Sequence, residues 1–139
     1  MELQRRDYPD AEDYWDGNWV TTRFRLDIPQ MPTTFLKSLH LGDLLRFRQE
    51  LARLSEGQQS QATLAMLEDY LFVEASLLPE GGLKWSVKAN VRLARLSDRA
   101  IMPPLHYDFY ADPSSLTIVL EQVESVLMQF PIKSPRTPG

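Results

Sequence analysis

With 139 residues, 43% of them hydrophobic, the chain can bury one core and is too short for two independent ones. Its 15 basic and 19 acidic residues leave a net charge of −4, which argues against sequence-independent binding to nucleic acid. Cysteine is absent, so disulfides and thiolate-held metals are excluded, and no apolar run approaches bilayer-spanning length.

The first residues, Met1–Arg6, lack the apolar stretch of a secretory signal, and a soluble cytoplasmic protein is the expectation. The most unusual stretch follows, Tyr8-Pro9-Asp10-Ala11-Glu12-Asp13-Tyr14-Trp15-Asp16-Gly17-Asn18-Trp19-Val20. Counting Asp7, it gathers five acidic residues, two tryptophans, two tyrosines and an Asp-Gly turn signal. From Trp19 to Ile28 the pattern predicts a strand. Val20, Thr22, Phe24, Leu26 and Ile28 fall on one side, and Thr21, Arg23, Arg25 and Asp27 on the other. Pro29 and Pro32 break the ladder, and Met31–Leu41 resumes an extended pattern that Lys37 interrupts. Gly42-Asp43 reads as a helix entry with Asp43 as N-cap, followed by the apolar stripe Leu44, Phe47, Leu51 and Leu54 and a closing Gly57.

Strands then resume. Thr63–Leu67 is short and turns at Glu68-Asp69; Leu71, Val73, Ala75 and Leu77 alternate with Phe72, Glu74 and Ser76. Pro79-Glu80-Gly81-Gly82 is a hairpin signal. The return strand puts Leu83, Trp85, Val87, Ala89, Val91 and Leu93 on one face and Lys84, Ser86, Lys88, Asn90 and Arg92 on the other. After Pro103-Pro104, Leu105–Ala111 directs Leu105, Tyr107 and Phe109 inward. Asp112-Pro113-Ser114-Ser115 predicts a helix start with Asp112 as N-cap, and Leu116 to Phe130 supplies a wide apolar face that ends at Pro131. The order predicts an α+β fold: a single domain over 1–131, largely antiparallel β-sheet with two helices packed on one face, then a flexible proline-rich tail over 132–139.

Asp10, Glu12, Asp13 and Asp16 offer hard oxygen ligands to a divalent cation. The EF-hand pattern fails, because aligning Gly17 with its glycine sets Tyr14 at a ligand position and Arg23 at the terminal glutamate. A solvated acidic loop is the plain reading. A partner-binding loop of Asp10, Glu12, Asp13, Tyr14, Trp15 and Asp16 is the sharper one, since aromatics among charges are the composition of interface anchors. One tryptophan could equally plug the open end of the core. His106-x-Asp108 places two ligand types on one side of a strand, and a metal-assisted site would need His40 as a third; exposed or edge histidines are the simpler account. No nucleophile elbow, phosphate-cradling glycine loop or Glu-x-x-His pair occurs, so no catalytic residue, metal or cofactor is assigned. Arg23, Arg25, Lys84, Lys88 and Arg92 could form a basic stripe, but Glu74 and Asp108 dilute it and cross-strand ion pairing accounts for it better.

The segment from Tyr8-Pro9 through Asp13-Tyr14-Trp15-Asp16-Gly17-Asn18-Trp19-Val20, running into an alternating strand, resembles the start of the WapI-like family of bacterial proteins. That family takes its name from an immunity protein that protects cells from the nuclease toxin of a wall-associated polymorphic toxin. The leucine-rich helix Leu44–Leu54, the junction Leu67–Phe72 and the closing helix Asp112–Pro131 resemble its later pattern, so the likeness spans most of the chain. The resemblance implies an N-terminal strand, here only Met1–Arg6, a protein partner, and binding without catalysis. The leading expectation is an immunity-type protein that blocks a toxin domain, with Asp10, Glu12, Asp13 and Asp16 replacing substrate phosphates and Tyr14 and Trp15 as anchors. The alternatives are a non-catalytic adaptor or structural interaction protein, in which the tryptophan loop is a fold element, and a metal-assisted enzyme using His40, His106 and Asp108.

Overall fold

Two antiparallel sheets, one of three strands and one of four, are joined by a long helix in the computed structural model, which describes residues 1–27, 29, 32–68, 70–90 and 105–135. The elements are β1 (Glu2–Arg6), α1 (Tyr14–Gly17), β2 (Trp19–Leu26), β3 (Thr33–His40), α2 (Leu41–Ser55), β4 (Gln61–Ala65), β5 (Leu71–Leu77), β6 (Leu83–Ala89), β7 (Leu105–Ala111) and α3 (Ser114–Gln129). Strand order is β1-β2-β3 in one sheet and β4-β5-β6-β7 in the other, so each strand pairs with its neighbour in sequence. The fold is α+β. The single sheet expected from the strand order is divided, because α2 follows β3 with no loop and carries the chain away before β4 begins. Ile28, Met31, Asp69, Val91, Arg92, Leu93, Pro103 and Pro104, all used in the sequence reading, lie outside the described residues.

Alternation is obeyed in β2: Val20, Thr22 and Phe24 are buried while Arg23 and Arg25 are exposed. Its register with β3 sets Val20 beside Leu39 and Phe24 beside Phe35, whose rings stack at 5.2 Å between centroids. Thr22 is tolerated inside because its hydroxyl donates to the Val20 carbonyl at 3.0 Å. Lys37, which interrupts the apolar pattern of β3, runs over the Tyr70 ring and ends 3.5 Å from Glu68. Tyr70 itself is buried edge-on against Phe24 and Phe35, and its phenol donates to the Ser38 carbonyl at 2.8 Å. One side chain from the β4–β5 turn thus fastens the second sheet to the edge of the first.

The stripe Leu44, Phe47, Leu51 and Leu54 of α2 is fully buried, and each such side chain contributes about 1.5–3 kcal/mol. The helix lies on β4 and beside α3, which buries Leu116 and Val123 and half-buries Val119, Leu120, Val126 and Leu127. Arg48 meets Glu124 at 3.3 Å across the two helices.

Both expected helix caps are displaced. The N-cap of α2 is His40, whose ring accepts from the Gly42 amide, because β3 feeds the helix directly. Asp43 sits buried inside the first turn, where it accepts from the Leu67 amide at 3.3 Å and pairs with Arg46 at 3.5 Å. At α3 the cap is Pro113, with no side-chain bond, and Asp112 serves through its carbonyl, which accepts from Ser115 at 3.0 Å.

Candidate functional site

Residues 7–18 close the open end of the three-stranded sheet, and α1 is their single helical turn. Asp13 starts that turn in an extended conformation, its carboxylate accepting from the Asp16 amide at 3.0 Å and its carbonyl from Gly17 at 3.1 Å. Tyr14 points inward. Its hydroxyl occupies the space a Cβ on Gly42 would need, and that Cβ would also lie 2.9 Å from His40 Nδ1. The glycine at the start of α2 is therefore an accommodation to Tyr14.

His40 joins these parts. It is 2% exposed, accepts from Gly42 N at Nδ1 over 3.0 Å, and directs Nε2 at the Tyr14 and Trp15 carbonyls, each 3.2 Å away. With Nδ1 accepting, Nε2 carries the proton and donates to the pair of carbonyls. The rings of Tyr14, Trp15 and Trp19 surround the imidazole with centroids 5.2, 5.1 and 5.0 Å away. Of the expected exposed or edge histidine, only the exposure is corrected at position 40: it ends the edge strand β3, buried as a hub between α1 and α2.

A second set of bonds comes from the far end of the chain. Asn18, 0% exposed, donates to the Tyr14 and Lys133 carbonyls at 2.7 and 2.9 Å and accepts from Lys133 N at 2.9 Å. Arg6 donates to the Gly17 carbonyl at 2.7 Å and to that of Pro131. Lys133 Nζ donates to the Pro9 and Ala11 carbonyls at 2.8 and 2.9 Å and stands 3.6 Å from Glu12; Ser134 donates to the Glu12 carbonyl at 2.6 Å. Lys133 and Ser134 are thus both bonded to the segment 9–18. Residues 136–139 of the tail lie outside the described residues.

The six candidate residues divide. Asp13 is engaged as a cap and Tyr14 as packing. Trp15 rests one edge on His40 yet stays 46% exposed. Asp10 and Asp16 are exposed and take no ion pair among the described residues, and the side chain of Glu12 is 83% exposed beside Lys133. Tyr8, part of the motif but not among the six, is exposed next to them. Asp7 is not part of this surface, because its two oxygens accept from Thr21 and Ser38.

The other constellations disperse. His106 and Asp108 meet on β7 at 2.8 Å, with Lys84 3.5 Å from the carboxylate, while His40 lies on the other sheet with both nitrogens engaged. The Ser86 hydroxyl, then His106 and Lys84, hold the Asp108 carboxyl below the usual range. Among the described residues no three His, Asp or Glu side chains gather for a metal ion. The basic residues divide between sheets: Arg25 pairs with Asp27 at 3.0 Å, and Lys88 lies over Phe72, 5.4 Å from the ring centre. Arg92 lies outside the described residues. No described helix is long and apolar enough to cross a membrane.

The model of the Immunity protein WapI-like family matches residues 1–131. No curated protein and no solved structure matches the chain.

Proposed function

The chain belongs to the WapI-like immunity protein family, and on that premise we propose that it neutralises a nuclease-type toxin domain by seating the Tyr8–Asp16 loop over the domain's phosphate-binding cleft. An immunity role requires a protein partner and no chemistry by the chain itself. The observation that carries the reading is Trp15, left 46% exposed on a turn whose backbone is fixed from three sides and whose neighbours Asp10, Glu12 and Asp16 are exposed carboxylates. A large aromatic held rigidly at the surface is the composition of an interface anchor. Carboxylates around it would meet the cations that normally hold phosphate, speeding encounter at low salt and fixing orientation. Because the loop is already ordered, little conformational entropy remains to be lost on binding. The protein would act in the cytoplasm, by steric and electrostatic exclusion of substrate.

The test is capture of the purified chain with products of adjacent genes, followed by growth rescue on co-expression with any toxic domain retained. The triple reversal Asp10→Lys, Glu12→Lys and Asp16→Lys should then weaken binding and flatten its salt dependence together. Unchanged affinity would remove the loop from the mechanism.

The adaptor reading draws on Asp13 and Tyr14, which serve the fold. It requires Trp15 to be a structural element as well. Under it, Trp15→Ala unfolds the protein, whereas the toxin-binding reading leaves a folded protein that does not bind.

A further inference from the structure

We propose that Lys133 is the positioning residue of the acidic tryptophan loop, a lock that holds Asp10, Trp15 and Asp16 in their displayed arrangement without itself meeting the partner. Its consequence for binding rests on the toxin-binding reading; the lock itself can be read in the free protein.

An ammonium has three N–H donors. Two go to the carbonyls of Pro9 and Ala11, at 2.8 and 2.9 Å, and the group stands 3.6 Å from Glu12. Carbonyl dipoles that converge on one point repel unless a cation stands between them. Gripping the residues on either side of Asp10 throws that carboxylate outward. The lysine stem crosses Gly17, where a Cβ would fall 3.1 Å from Lys133 Cδ and 2.8 Å from the Ala11 carbonyl. A glycine thus leaves room for both the stem and the returning loop.

The lysine backbone is held as well. Asn18 binds its N–H and its C=O, both at 2.9 Å, from a fully buried position. Next along the chain, Ser134 adopts φ +46°, uncommon for a residue with a side chain, and places its hydroxyl 2.6 Å from the Glu12 carbonyl. The Lys133 side chain is only 19% exposed, so its charge is spent on the loop.

Lys133→Met keeps the stem over Gly17 and removes the ammonium. Hydrogen exchange on the free protein then reads the loop through the Ala11 and Gly17 amides, which bond to Tyr8 and Asp13. These amides should exchange about tenfold faster or more, as loss of two charge-assisted bonds requires, while α2 and β4–β6 keep their rates. Lys133→Arg should retain most of the protection. Ser134→Ala, a change at an exposed side chain, should loosen the same amides to a smaller degree.

Parent-like exchange in Lys133→Met overturns the lock. So does acceleration spread evenly over α2 and the sheets, which would make Lys133 a general stability residue. With a captured toxin domain, Lys133→Met should lower the association rate more than it raises the dissociation rate. If Lys133→Met opens the loop but reversal of Asp10, Glu12 and Asp16 leaves binding intact, the lock stands and the loop is removed from the toxin-binding mechanism.

Discussion

The phenol of Tyr70 donates to the carbonyl of Ser38 across the gap between the two sheets, at 2.8 Å. Burial, then the charges of Glu68 and Asp43, raise its pKa well above the ordinary tyrosine value of 10.0. A raised folded-state pKa means that this group's stabilisation is fully present below about pH 10 and is lost as pH climbs through and above that value. Tyr70→Phe should therefore cost about 1 kcal/mol at neutral pH. Its stability should also fall less steeply than the parent's between about pH 9.5 and 11. Urea midpoints for both proteins across that range provide the check.

Gly42→Ala tests the fit between α1 and α2. Alanine ordinarily favours a helix, but its Cβ here would overlap the Tyr14 hydroxyl. A net loss of about 1–3 kcal/mol is expected, with Tyr14 displaced from its site. Gly82→Ala, where the nearest heavy atom is 3.8 Å away, is the control and should change stability little.

Removing His40 should be more costly. Alanine there leaves the Gly42 amide without its acceptor, takes one donor from each of the Tyr14 and Trp15 carbonyls and opens a void among three rings, a loss of about 2–4 kcal/mol. Asparagine, a good N-cap, should recover part of the stability while leaving α1 loose. Thermal melts paired with near-ultraviolet circular dichroism of the surrounding Tyr14, Trp15 and Trp19 separate the two effects.

Trp15→Ala should leave a folded protein, destabilised by about 2–3 kcal/mol for the lost edge contacts with His40 and Tyr14 and the buried half of the indole. Binding to a captured partner should weaken by about 2 kcal/mol or more, as for a central aromatic anchor. Denaturation and titration of the same preparation decide between this outcome and the fold-element reading.

Periodicity made much of this fold legible. Val20, Thr22 and Phe24 on β2, and the leucines of α2, are where local pattern places them, since the periods of strand and helix are properties of consecutive residues. The division into two sheets was not legible: Gly42-Asp43 marked the helix after β3, but whether strands before and after that helix pair is not a property of consecutive residues. Asp43 and Asp112 look like caps on residue type alone. Chain geometry instead gave the caps to His40 and Pro113. The six candidate residues were legible in the sequence as one stretch because all fall within positions 10–16. Which of them face inward was not, since that is decided by Gly42 and His40. The hold of Lys133 on Pro9 and Ala11 leaves no local trace at all: those contacts span 124 and 122 residues.

That separation bears on synthesis. Contacts this distant in sequence close late, after the hairpins of both sheets have had their local partners in hand. An emerging chain that has reached α3 already holds every strand of the two sheets, yet its acidic loop still lacks Lys133 and Ser134. On the lock proposed for Lys133, the loop takes its final shape only after residues 133 and 134 have been made, so Trp15 is displayed later than the strands form.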